Sequence, residues 1–121
     1  MQNLNQIRAK HVLEFANSTR AGGVKGQNGG EVIKKIPPVI MNNGLLAALA
    51  YSMDKNQGAW RSVFDAVAVH LASPEIGLVP SGSGTAEMLL DYLAGEASST
   101  LLRDVTAETA EWLNFARRLV K

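Results

Sequence analysis

The sequence predicts an all-α protein, a compact single domain of five or six helices that spans residues 1–121. Apolar residues recur at the three- and four-residue spacing of amphipathic helices along most of the chain. No stretch shows the sustained alternation of apolar and polar residues that a half-buried strand needs. The length of 121 residues lies within the usual range for one domain, so a single hydrophobic core is expected.

The N-terminal part is predicted to hold two helices joined by a flexible loop. The first helix covers about 3–18 and carries apolar residues on two faces, which implies two packing neighbours. The segment 21–30 contains five glycines and few apolar residues, so we predict a mobile loop there. The second helix begins at Glu31, Pro37 and Pro38 should kink or divide it, and Gly44 should end it in the left-handed conformation.

Two helices of different character are predicted next. A helix from Leu45 to about Lys55 is apolar around its whole circumference and should be the most buried of all. The following helix, about Gly58 to Ala72, carries one apolar stripe. Arg61 and Asp65 are spaced on it for an exposed ion pair.

The C-terminal part is predicted to be a loose segment followed by two helices. The loose segment covers about 73–84, and Thr85 should cap a helix that runs to about Ala94, with Met88 among its inward-facing residues. One apolar stripe keeps phase over about 100–120 and therefore predicts a single long final helix.

The residue inventory argues against catalysis and against a bound metal or cofactor. The chain has no cysteine, which excludes disulfides and thiolate ligands. Its two histidines, His11 and His70, lie on different helices without metal-ligand spacing, which is more typical of structural or exposed histidines. We expect no enzymatic activity, no cofactor, no metal and no small-molecule substrate.

Charge is the better functional indication. The net charge is only +1, but residues 1–61 are net basic and residues 62–121 net acidic. This asymmetry suits a subunit with an anionic partner on one face and a basic neighbour on the other, although halves of a sequence need not be halves of a structure. The candidate contacts to the phosphates of an anionic partner are Arg8, Lys10, Lys34, Lys35, Arg61, Arg117 and Arg118.

Two features limit how these charges are interpreted. No aromatic residue is interleaved with the basic residues to stack bases, so backbone contact is the expected form of RNA binding. Asp104, Glu108 and Glu111 lie one turn apart on the last helix, as in an exposed acidic face, and we predict that they dock a basic neighbouring subunit. The plainer alternative is that all these charges are a solvated exterior.

Three strings carry a family resemblance that extends from one end of the chain to the other. They are Arg8, Ala9 and Lys10; Asn42, Asn43, Gly44, Leu45, Ala47, Leu49, Ala50 and Tyr51; and Thr106, Glu108, Trp112, Leu113, Asn114, Phe115, Arg117 and Arg118. Together they resemble the small subunit of the type III-B CRISPR RNA-guided effector, the Cmr complex. The segment 21–30 and the Ser-Gly tract at 81–84 have no counterpart in that resemblance.

The resemblance implies a helical, non-catalytic subunit that lies beside the subunits holding the guide RNA and lines the groove where target RNA pairs. Its partners would be other Cmr subunits, neighbouring copies of itself, guide RNA and target RNA. With no signal-peptide or membrane-spanning pattern, we expect no membrane partner and a cytoplasmic location. The alternative is a standalone helical nucleic-acid-binding regulator with a helix-turn-helix at Gly44, but the helix after Gly44 lacks polar residues to read bases.

Overall fold

Six helices form the part of the chain that the computed structural model describes, residues 3–18 and 29–120, and no strand occurs there. The helices are α1 (Leu4–Ala16), α2 (Gly29–Asn43), α3 (Leu45–Ser52), α4 (Gly58–Ala72), α5 (Ala86–Gly95) and α6 (Ser99–Leu119). The predicted all-α fold is confirmed. Most of the predicted loop at 21–30 lies outside the described residues, but Gly29 and Gly30 already belong to α2, which begins two residues earlier than predicted.

Side-chain caps explain where three of the helices begin. Asn3 and Gln6 form a reciprocal capping box at α1, with both hydrogen bonds 2.8 Å long. The Thr85 hydroxyl accepts from the backbone N–H of Met88 at α5, as predicted. The Ser98 hydroxyl accepts from a first-turn N–H of α6, which then continues as one helix to Leu119.

The break between α2 and α3 depends on one glycine. Gly44 has φ of +87°, a left-handed conformation that L side chains rarely adopt, and its N–H donates to the carbonyl of Ile40. The prediction for Gly44 is therefore confirmed. Pro37 and Pro38 were expected either to kink the second helix or to divide it. They do not divide it, because α2 continues through both prolines.

The centre of the fold is α4, and the prediction that α3 is the most buried helix was wrong. Eight of the fifteen residues of α4 are buried, and α4 packs against each of the other five helices. By contrast, α3 has eight residues and exposes Ala47, Ala50 and Tyr51. Alanine side chains are apolar but small. They make a helix hydrophobic in sequence while adding little apolar area that can be buried. Met88 of α5, expected to face inward, is also exposed.

The segment 73–84 is packed rather than loose. Val79 is buried, and the backbone N–H groups of Leu78 and Val79 both donate to the carbonyl of Leu71 at the end of α4. Ser83 is buried as well. One apolar side chain and two backbone hydrogen bonds therefore anchor a segment whose Pro, Gly and Ser content alone indicated mobility.

Arg61 and Asp65 do not form the predicted ion pair. An oxygen of Asp65 accepts a hydrogen bond from the backbone N–H of Ala86, the first residue of α5, at 2.7 Å. Arg61 instead donates to the carbonyl of Met53 at 3.0 Å. Asp65 thus supplements Thr85 at the start of α5, where a negative charge is also favoured by the helix dipole.

Replacing Asp65 by alanine should therefore cost stability. We expect Asp65→Ala to lower the free energy of unfolding by about 1 kcal/mol, the usual cost of losing a helix-capping acceptor. Urea denaturation monitored by circular dichroism measures the change. Asp91→Ala, at an exposed acid on α5, is the matched control and should stay within about 0.5 kcal/mol of the parent. Equal effects of the two substitutions would contradict the capping role.

Candidate RNA interface

Glu108, predicted to lie on an exposed acidic face, is buried, so this part of the prediction was wrong. Its carboxylate accepts two hydrogen bonds from Arg8, from Nε at 2.8 Å and from Nη2 at 2.7 Å. It also accepts one from Nε2 of His70 at 2.8 Å. The Glu108 side chain is only 8% exposed, and α1 and α6 pack closely enough to enclose the pair. The arrangement is a bidentate charge-assisted pair, one of the stronger polar contacts in proteins.

The two histidines, which the sequence places on different helices, are in direct contact. Nδ1 of His11 lies 2.7 Å from Nδ1 of His70, and Nε2 of His11 lies 3.2 Å from an oxygen of Glu75. Because Nε2 of His70 donates to Glu108, Nδ1 of a neutral His70 must accept from His11. Both nitrogens of His11 then face acceptors.

Burial and hydrogen bonding determine which of these groups carries a proton. Burial lowers the pKa of His70 below its ordinary value of 6.5, against the opposing effect of its hydrogen bond to Glu108. For Glu108, burial opposes ionisation, but the hydrogen bonds from Arg8 and His70 outweigh it and hold the pKa below its ordinary value. The hydrogen bond to Glu108 raises the pKa of Arg8. Near neutral pH the buried group therefore consists of one ion pair and a neutral imidazole.

The predicted RNA-contacting residues fall into different environments. Arg8 is turned inward onto Glu108 and also approaches Glu111, with Nη1 3.9 Å from its carboxylate. Lys10 is exposed, and its Nζ lies 3.9 Å from an oxygen of Glu75. Exposed positions are also held by Lys34 and Lys35 on α2, by Arg61 on α4, and by Arg117 and Arg118 in the last turn of α6. Of the predicted docking acids, Asp104 and Glu111 remain exposed.

A groove of about 640 Å³ lies where α2, α3 and α4 meet. Its described lining residues are Lys34, Lys35, Pro38, Val39, Asn43, Ala47, Tyr51 and Trp60, and none of these is acidic. The rings of Tyr51 and Trp60 meet edge to face, with centroids 4.8 Å apart. Although no aromatic residue is interleaved with the lysines in sequence, the fold brings two aromatic rings to them.

A family model described as CRISPR-associated protein (Cas_Cmr5) matches residues 4–121. The chain belongs to this family. Membership in the Cas_Cmr5 family implies a role within the Cmr CRISPR complex, together with its other subunits. No curated protein and no solved structure matches the chain.

The described ranges, 3–18 and 29–120, contain neither a metal-binding cluster nor a membrane-spanning helix. No group of three or more His, Cys, Asp or Glu residues within them could hold a metal ion. None of the helices in these ranges has the length and apolar character to cross a membrane.

The protonation of the buried group predicts that acid destabilises the fold. With the pKa of His70 lowered by folding, the unfolded chain binds a proton more readily, so stability is lost as pH falls below about 6.5. Glu108 acts in the same direction at lower pH, since its pKa is also lowered by folding. Urea unfolding at pH 7.5, 6.5 and 5.5 should show the decline, and it should be smaller in His70→Gln.

A direct measurement on the native protein tests the same prediction and does not depend on how well His70→Gln folds. In an NMR titration of the native protein, the His70 imidazole should titrate below 6.5, while the histidines of the urea-unfolded chain titrate near about 6.5. Titration of His70 at or above the unfolded value would contradict the assignment of a neutral buried ring.

Proposed function

We propose that the chain is the non-catalytic small subunit of a type III-B Cmr effector, where it stabilises the assembly and contacts the phosphate backbone of guide or target RNA. The observation that carries the proposal is the placement of Lys34 and Lys35. They lie next to each other, exposed, at a groove whose described lining residues include no acid, in a chain of the Cas_Cmr5 family. Such a surface favours a polyanion.

The proposed RNA-contacting set differs from the sequence prediction by one residue. Arg8 is left out because its guanidinium is already held by the buried carboxylate of Glu108. Lys10, Lys34, Lys35, Arg61, Arg117 and Arg118 remain in it. With a net charge of only +1, the free protein should bind RNA weakly and with strong salt dependence. Neighbouring subunits supply the effective concentration that makes such contacts useful.

The non-catalytic part of the proposal is supported by how the reactive side chains are used. His70 is fully buried, and both histidines contact each other and a carboxylate. The ring nitrogens of both histidines are therefore engaged by partners within the protein. The alternative, a standalone regulator with a reading helix after Gly44, is not favoured, because the exposed residues of α3 include Ala47 and Ala50, which offer no hydrogen bonds to base edges.

Charge reversal at the groove should weaken RNA capture without unfolding the protein. We expect Lys34→Glu or Lys35→Glu to reduce target RNA binding by the reconstituted effector several-fold, because each replaces a phosphate contact with a repulsive charge. Arg103→Glu, the same reversal at an exposed position on α6 outside the proposed set, is the control. Arg117→Glu and Arg118→Glu apply the same test to the exposed arginines in the last turn of α6. Target capture equal to that of the parent in all these variants would leave the charges as a solvated exterior.

The exposed acids on α6 should matter for assembly before they matter for RNA. Asp104 and Glu111 are proposed to dock a basic neighbouring subunit, so Asp104→Asn with Glu111→Gln should lower the fraction of this subunit recovered with the purified effector. Glu87→Gln, at an exposed acid on α5, is the control. Normal incorporation of the double variant, combined with weakened RNA capture, would contradict the docking role.

A further inference from the structure

The aromatic side chains of the groove differ in exposure. Trp60 is buried, with 6% of its surface exposed, whereas Tyr51 is 47% exposed although it lines a groove. The edge-to-face contact between the two rings, with planes 70° apart, fixes the orientation of the tyrosine. The Tyr51 ring thus contacts the buried Trp60 and remains partly accessible to a partner.

The polar groups around this ring are all suited to an anionic partner. Lys34 and Lys35 line the same groove, and Asn43 adds an exposed amide that can both donate and accept. Arg61 follows Trp60 in sequence and is bonded to the carbonyl of Met53, at the end of the helix that carries Tyr51.

We propose that the groove is a nucleotide subsite, in which one unpaired base of the RNA packs on the exposed ring of Tyr51 while Lys34 and Lys35 bind the flanking phosphates. The inference rests on the proposed function and extends it from backbone contact to insertion of a base. Aromatic rings beside cations are the combination by which proteins bind single-stranded nucleic acid without reading its sequence. A volume of about 640 Å³ is also within the range of pockets that enclose small organic groups.

The same geometry implies that the subsite tolerates any base sequence in the RNA. Every base has a face that can stack on tyrosine, so the subsite accepts any unpaired nucleotide. The single amide of Asn43 provides only a limited hydrogen-bonding capacity toward base edges. The subsite therefore recognises an unpaired base by its shape and the RNA backbone by its negative charge.

The test compares two ligands that have equal charge and differ only in bases. A single-stranded uridine decamer and an abasic ribose-phosphate decamer are titrated against the full-length protein at low salt, with fluorescence anisotropy as the readout. The parent should bind the uridine decamer about five-fold or more tightly than the abasic strand, as one base–aromatic stack provides. Tyr51→Ala should abolish that difference, and Tyr51→Phe should retain it. Met88→Ala, at a residue of similar exposure on α5, should leave it unchanged.

The outcomes separate the subsite from the proposed function. Equal binding of the two strands by the parent overturns the subsite, and so does a difference that survives Tyr51→Ala. Failure of the free protein to bind either strand also overturns it, since the groove is formed in the free protein. Loss of subunit incorporation in Tyr51→Ala, with base-dependent binding intact, would assign the groove to a protein partner instead. The proposed function fails on a different result, namely that charge reversal at Lys34 and Lys35 leaves target capture by the effector unchanged.

Discussion

A single buried carboxylate connects three helices of this fold. Glu108 of α6 accepts hydrogen bonds from Arg8 of α1 and from His70 of α4, and His11 of α1 joins the same group through His70. A buried charge left without partners is costly, so the network holds only while α1 keeps its position. The apolar contribution of α1 is modest, since its buried residues are Val12, Phe15 and Ala16. The polar network at Glu108 therefore adds a second link between α1 and the bundle, beside the packing of Phe15 on Trp112.

The buried network at Glu108 gives the charged residues different roles. Arg8 and Glu108 neutralise each other inside the protein, which removes one cation from the candidate RNA surface and one acid from the candidate docking surface. Lys34 and Lys35 remain exposed at a groove whose described lining residues include no acid. A subunit of nearly neutral net charge can thus still present a locally basic surface, and an assembly can use such a surface without high affinity in the free protein.

The sequence predicted the helices well because their signals are local. The apolar stripe of α6, the cap at Thr85 and the left-handed glycine at Gly44 each depend on a few neighbouring residues. The buried network depends on pairs far apart in sequence: Arg8 and Glu108 are separated by 100 residues, and His11 and His70 by 59. A local signal did exist, since Glu108 lies three residues after Val105 and four before Trp112, in phase with the buried stripe. The groove gave no such signal, because its aromatic rings and lysines meet only through helix packing.

We propose that RNA contacts the groove between α2, α3 and α4, while the Arg8–Glu108 network serves only the fold. The most direct measurement is photo-crosslinking of 4-thiouridine-containing target RNA to the assembled effector, with crosslinked peptides of this subunit identified by mass spectrometry. We expect crosslinks in the peptides that contain Lys34, Lys35 and Tyr51, and none at Arg8. Crosslinks confined to the acidic surface of α6 around Asp104 and Glu111, or none in this subunit, would contradict it.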